Sequence, residues 1–179
     1  KLETDRSSSE LTQINLPQFF NEIIRVFEDK IDRNKIEIIT NIDKNLPVSV
    51  KVNPHKLRYI VVNLLTNSLR LTERGKITLS AFSSEKNQLK IRISDTGTGL
   101  PNDKLKAIFT PYSLTDQYVN SIGGTTGLGL TLVKRYIDFL NGELEISSTI
   151  GKGTTFNLNI PVEEISAIEE QISTLPKPD

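Results

Sequence analysis

Cysteine is absent from the chain, which excludes disulfides, thiol chemistry and cysteine-ligated zinc together. Histidine occurs once, as His55, so a histidine-rich metal centre or a serine–histidine triad would rest on that one residue. An excess of either charge is missing too. The 22 basic residues balance 22 acidic ones, and no net field draws the chain to nucleic acid or an anionic membrane. No apolar run approaches the roughly 20 residues that span a bilayer, and no signal peptide opens the sequence. At 179 residues the chain has the size of one ordinary domain with a real core. It starts at Lys1 and is expected to be a piece of something longer.

What is present reads as alternating helices and strands. Residues 1–13 are polar with a serine run and are expected to be a linker or the end of a preceding helix. Phe19, Phe20, Ile23, Ile24, Phe27 and Ile31 recur at helical spacing, predicting a helix over Pro17 to Asp32 with Pro17 in its first turn. Ile36 to Ile42 is β-branched and strand-like, and Pro54 to Thr72 predicts a second helix. Lys76 to Phe82 and Leu89 to Asp95 alternate as strands. A short helix is expected near Asp103 to Phe109, then a loop from Pro111 to Thr126. A third helix should stop at Asn141-Gly142. Glu143 to Ser148 and Thr154 to Ile160 form a last strand pair, and residues 162–179 are expected to be a tail. Strands joined by short turns imply antiparallel pairing, so the fold class is α+β. We expect a two-layer sandwich whose mixed, mostly antiparallel sheet carries helices on one face.

Three features carry chemistry. The strand ending at Asp95 runs into Asp95-x-Gly97-x-Gly99. A buried carboxylate there can accept hydrogen bonds from an exocyclic amine, and the glycines let the backbone approach a flat ring; an ordinary capped turn would look similar. On the second helix, Leu57, Ile60, Val61, Leu64, Ser68 and Leu71 form one arc at about 100° per residue. Asn63, Asn67 and Arg70 share a strip beside that arc. Amide oxygens suit Mg²⁺ and a guanidinium suits phosphate, although a solvated helix face would serve as well. Gly127-Leu128-Gly129-Leu130 runs straight into the third helix, where backbone N–H groups and the positive dipole end suit phosphate.

Taken together and in order, these stretches resemble the sensor histidine kinases. "NPHKLRYIVVNLLTNSLRLT" is similar to their N box, "DTGTGLP" to the first glycine box and "IFTPYSL" to the F box. "TTGLGLTLVKRY" resembles the second glycine box and "GELEISSTIGKGTTFNLNIP" the closing strands, so the likeness covers Pro17 to Pro161. It implies a Bergerat-type ATP-binding fold over residues 14–161, with ATP and Mg²⁺ as cofactors. It implies that Asp95 binds the adenine amine, with Gly97, Gly99, Leu100 and Leu71 against the base and Thr154 near it, Thr155 being an open rival. Asn67 would ligate Mg²⁺, while Asn63 and Arg70 would act in catalysis, Arg70 touching phosphate. Thr126, Gly127, Leu128, Gly129 and Leu130 would line the phosphates, and Phe109 and Tyr112 would anchor a lid over 111–126.

The ATP-hydrolysing relatives place a glutamate where this chain has Asn63, and an amide cannot act as the general base. The implied reaction is therefore transfer of the γ-phosphate to a histidine on a separate dimerisation domain of the same, homodimeric, cytoplasmic or membrane-anchored parent. A response regulator receiver domain would be a second partner, and nucleic acid would not be one. His55 lies outside the phosphoacceptor motif and is read as a surface residue. Leu71, Leu114 and Thr125 depart from the usual aromatic, arginine and glycine of the family. A degenerate nucleotide-binding module and a true ATPase stay open as alternatives.

Overall fold

Two asparagines start the two long helices by the same device. Asn15 and Asn53 hold extended backbone, and their side chains accept from Gln18 N at 2.9 Å and Lys56 N at 3.0 Å. Each is followed by a proline in the first turn, whose missing N–H costs nothing there. The computed structural model describes residues 10–105, 108 and 128–165. In chain order these form β1 Thr12–Asn15, α1 Leu16–Glu28, β2 Ile36–Ile42, β3 Ser49–Val52, α2 Pro54–Leu71, β4 Gly75–Phe82 and β5 Gln88–Asp95. There follow α3 Asn102–Leu105, α4 Leu128–Phe139, β6 Glu143–Thr149, β7 Gly153–Pro161 and β8 Glu163–Glu164.

The main sheet runs β2-β4-β5-β7-β6, with β2 and β4 parallel and every other pair antiparallel. The parallel pair needs a crossover, and α2 supplies it. Side chains alternate across the sheet. Ile77, Leu79 and Ala81, then Leu89, Ile91 and Ile93, then Phe156, Leu158 and Ile160 are buried in one core with the apolar faces of α1, α2 and α4. Each such side chain, fully buried, contributes about 1.5–3 kcal/mol. The alternate positions Thr78, Ser80, Arg92 and Asn157 carry the polar face. This is the α+β sandwich expected from the sequence.

Three strands were not expected. β1, β3 and β8 make a second, small sheet in the order β1-β3-β8, all antiparallel. It draws Thr12 and Gln13 from the segment read as linker and Glu163–Glu164 from the segment read as tail. The first helix also stops earlier than its periodicity suggests. Lys30 N bonds Phe27 O at 3.0 Å, tightening the last turn, and the Asp32 carboxylate accepts from Asn34 N at 3.0 Å, starting the loop. Ile31, expected on the helix, lies in that loop. The stop at Asn141-Gly142 is as expected. Asn141 takes φ 53, and Gly142 N returns to Ile137 O at 2.9 Å, the closure typical of a left-handed helix end.

Candidate functional site

Strand β5 runs into the core and ends on a carboxylate. Asp95 is 3% exposed. Its Oδ1 accepts from Gly97 N at 3.0 Å and from Thr154 N at 3.1 Å, whereas its Oδ2 is buried with no partner among the described residues. Burial pushes the Asp95 carboxyl above the usual aspartate range, against the opposing pull of the Gly97 and Thr154 amides. Ser68 Oγ on α2 and Thr72 Oγ1 at its C-cap are likewise buried without a hydrogen-bond partner among the described residues. Ser68 is near enough to act on Asp95, and Thr72 Oγ1 lies 2.9 Å from where a Cβ on Gly97 would sit. Buried polar atoms are ordinarily paired, and an orphan costs about 1–3 kcal/mol. Three such atoms share this corner.

The two glycines after Asp95 also answer to the packing of the protein itself. A Cβ on Gly97 would come within 2.2 Å of Leu71 O, and one on Gly99, at φ +68, within 2.1 Å of Thr149 O. They make room for the end of α2 and for the β6–β7 hairpin. Thr98 N bonds Leu71 O at 2.9 Å, and Gly151 N bonds Thr98 O at 2.8 Å. The turn is thereby clamped between those two elements. Leu71 is half-buried and enters this contact through its carbonyl, and Leu100 is buried with its N–H on Ser148 Oγ at 2.7 Å.

Helix α2 carries the other polar group. Asn63, Asn67 and Arg70 are all half-buried, beside an apolar face of Leu57, Ile60, Val61, Leu64 and Leu65. Asn63 Nδ2 donates to Tyr59 O at 2.9 Å, and its Oδ1 lies 3.1 Å from where a Cβ on Gly129 would stand. Gly129, in the first turn of α4, is thus brought against Asn63. The Tyr59 and Tyr136 rings, 5.1 Å apart and edge to face, hold the two helices together. Asn67 has no hydrogen-bond partner among the described residues. Thr154, not Thr155, belongs to the corner. Thr154 is 1% exposed beside Asp95, while Thr155 Oγ1 pairs with Ser94 Oγ at 2.9 Å. His55 is exposed in the first turn of α2. Phe109, Tyr112, Thr126 and Gly127, with Leu114, Thr125 and the 111–126 segment, lie outside the described residues.

Sequence reasoning missed Thr72, Gly153 and Ser148, and placed Ser68 only on a packing face. A hydroxyl amid an aliphatic arc was the available signal for Ser68. Among the described residues no group of three acidic, histidine or cysteine side chains could hold a metal. A cation here would rely on amide oxygen and on oxygens of its own ligand, which suits Mg²⁺.

Residues 52–164 match the family described as histidine kinase-, DNA gyrase B- and HSP90-like ATPase. The chain belongs to this family. Its relatives place this ATPase domain with the catalytic domains of sensor histidine kinases. The autoinducer 2 sensor kinase/phosphatase LuxQ of Vibrio vulnificus is 37% identical over 145 residues, covering 77% of this chain and 17% of that protein. The sensor histidine kinase GacS of Pseudomonas protegens is 30% identical over 167 residues, covering 90% of this chain and 18% of that protein. The ATPase domain therefore spans less than a fifth of the length of these two relatives. Among solved structures, full-length ShkA in complex with AMPPNP superposes with a TM-score of 0.77 at 24% identity, over 88% of this chain and 32% of that one. The nucleotide-free catalytic domain of the histidine kinase ThkA gives 0.72 at 24% identity, over 85% and 95%. At that identity the likeness is one of fold. Among the described residues no helix of the domain is long and apolar enough to cross a membrane.

Proposed function

We propose that this chain is the ATP-binding catalytic domain of a two-component sensor histidine kinase and passes the γ-phosphate to a histidine on a separate dimerisation domain. One observation carries the reading: the buried Asp95 presents one carboxylate oxygen to the protein and leaves the other unpaired among the described residues. That oxygen is an acceptor awaiting a donor, and the exocyclic amine of adenine is such a donor. Thr154 stands beside it, with Gly97, Gly99, Leu100 and Leu71 forming the wall.

Asn67, whose carboxamide has no partner among the described residues, is the residue that would hold Mg²⁺, and Arg70 would meet phosphate. Mg²⁺ bound there supplies charge neutralisation between phosphate groups. Asn63 orients rather than deprotonates. Its amide hydrogen is committed to Tyr59 O, and no carboxylate stands in its place to activate water. This favours transfer to a partner imidazole over hydrolysis. The amides of Gly127, Leu128, Gly129 and Leu130, with Thr126, would face the phosphates, and Phe109 and Tyr112 would anchor a lid over 111–126. In this reading residues 14–161 form the catalytic domain of a homodimeric parent acting in the cytoplasm, with a receiver domain as the onward phosphoacceptor.

The test mixes this chain with the parent's histidine-bearing helices, Mg²⁺ and γ-labelled ATP. Label should appear on histidine in the helices. Nucleotide binding without any transfer would assign the degenerate module instead, and steady phosphate release at about 1 s⁻¹ or faster would assign an ATPase. In the same assay Asn67→Ala should weaken Mg²⁺-dependent nucleotide binding more than binding measured in EDTA. Equal losses would remove Asn67 as the metal ligand.

A further inference from the structure

The hairpin between β6 and β7 reaches the Asp95 corner through one hydroxyl. Ser148 Oγ accepts from Leu100 N at 2.7 Å, donates to Gly153 O at 2.9 Å and lies 2.9 Å from Thr154 Oγ1. A hydroxyl has one hydrogen and two lone pairs. With its hydrogen on Gly153 O, Ser148 can only accept from Thr154, so the Thr154 hydroxyl is the donor of that pair. Ser148 is then saturated, and Thr154 Oγ1 keeps acceptor capacity alone. Thr154 also gives its backbone N–H to Asp95 Oδ1. Ser148 therefore ties down both ends of the turn, Leu100 directly and Asp95 by way of Thr154.

We infer that Ser148 is a positioning residue that sets purine selection at this site, an inference that rests on the proposed adenine role of Asp95. By consuming the Thr154 hydrogen it makes Thr154 Oγ1 an acceptor on the residue whose backbone N–H holds Asp95 Oδ1, in the same corner as a carboxylate whose Oδ2 has no partner among the described residues. Neighbouring acceptors suit the amine at the six-position of adenine and repel the carbonyl at the same position of guanine. Without the Ser148 hydroxyl, Thr154 can turn and donate, the buried Leu100 N–H loses its acceptor, and the corner reads the base less strictly. The residue acts through Thr154 and the turn.

The experiment uses the full chain and the nearly isosteric pair Ser148→Thr and Ser148→Val, which differ by a hydroxyl against a methyl. A fluorescent ATP analogue is displaced by ATP, GTP or inorganic triphosphate, and melting confirms the fold. Ser148→Thr should stay within about twofold of the parent. Ser148→Val should lose about tenfold in ATP affinity, as expected for one hydrogen bond, and narrow the ATP-over-GTP preference, with triphosphate competing as before. Parental affinity and preference in the valine variant would overturn the inference, as would equal losses for ATP, GTP and triphosphate. Ser148→Ala repeats the comparison without added bulk if the valine variant fails to fold. Loss of the fold in both would give the hydroxyl a purely structural role and overturn the inference too. Parental binding by Asp95→Asn would instead overturn the adenine reading beneath it.

Discussion

At the scale of the residue, Asp95 is a group the fold keeps at a loss. Its charge is buried beside an oxygen that nothing in the described protein satisfies, and its carboxyl is correspondingly pushed up by burial. Asp95→Asn keeps the acceptor that Gly97 N and Thr154 N require, removes the charge, and replaces the outward acceptor with a donor. The variant should therefore be more stable than the parent, by about 1 kcal/mol, the usual yield of relieving a functional residue. It should bind no fluorescent adenine nucleotide at concentrations that saturate the parent. Stability is read by urea titration and binding by anisotropy; a destabilised variant with intact affinity would contradict both halves. The pH dependence has a definite sign. Because the folded-state pKa lies above the unfolded one, the unfolded chain releases this proton first as pH rises. The parent should then lose stability relative to Asp95→Asn, starting in the ordinary aspartate range and continuing through the elevated folded value. Base binding runs the other way and fades on acidification, as Oδ2 gains a proton and ceases to accept.

At the scale of the element, α2 and the β6–β7 hairpin grip the turn that follows Asp95, and the grip depends on missing side chains. Gly153 sits at φ +104, and a Cβ there would come within 1.9 Å of Asp95 O, whereas Gly151 at φ +75 has nothing within 4 Å. Gly151→Ala should cost only the left-handed backbone, about 1–2 kcal/mol. Gly153→Ala carries that strain and also drives the hairpin off β5, so it should cost more and weaken nucleotide binding, while Gly151→Ala leaves affinity alone. Paired melting curves and titrations decide it; equal behaviour of the two variants would remove the clamp. The sequence announced the glycines of this motif but not what they approach, because a pattern of glycines marks a crowded backbone without naming the crowding partner. It likewise showed Asn63 and Asn67 on one strip of α2, since helical geometry fixes that much. That Gly129 meets Asn63 depends on how α4 packs across α2, which no local pattern contains.

For the whole molecule, legibility tracked distance along the chain. The five strands of the main sheet and the long helices were readable because their periodicity is local: Ile77, Leu79 and Ala81 alternate whatever they pair with. The small sheet was not, since Ser49–Val52 lacks a clean alternation and its partners lie some forty and more than a hundred positions away in the sequence. Its last strand shows which forces hold such a piece. Lys51 Nζ and Glu163 Oε1 form a 2.7 Å ion pair, but both side chains are largely exposed, 44% and 59%, and water and salt screen such a pair to about 0–1 kcal/mol. Next to it Val162 is buried to 7% and joins the core, a contribution of about 1.5–3 kcal/mol. Val162 also donates its N–H to Asn87 O at 3.0 Å, and Glu164 Oε1 accepts from Asn87 N at 2.7 Å. Burial should therefore outweigh charge in fastening the end of the sheet. Glu163→Gln should change the unfolding free energy from urea titration by no more than about 0.5 kcal/mol, with the difference vanishing in 1 M salt. Val162→Ala should cost about 1–3 kcal/mol and be indifferent to salt. A larger loss from the glutamate than from the valine would mean that the small sheet is fastened by charge, and that its strands join the domain for a reason other than the core they extend.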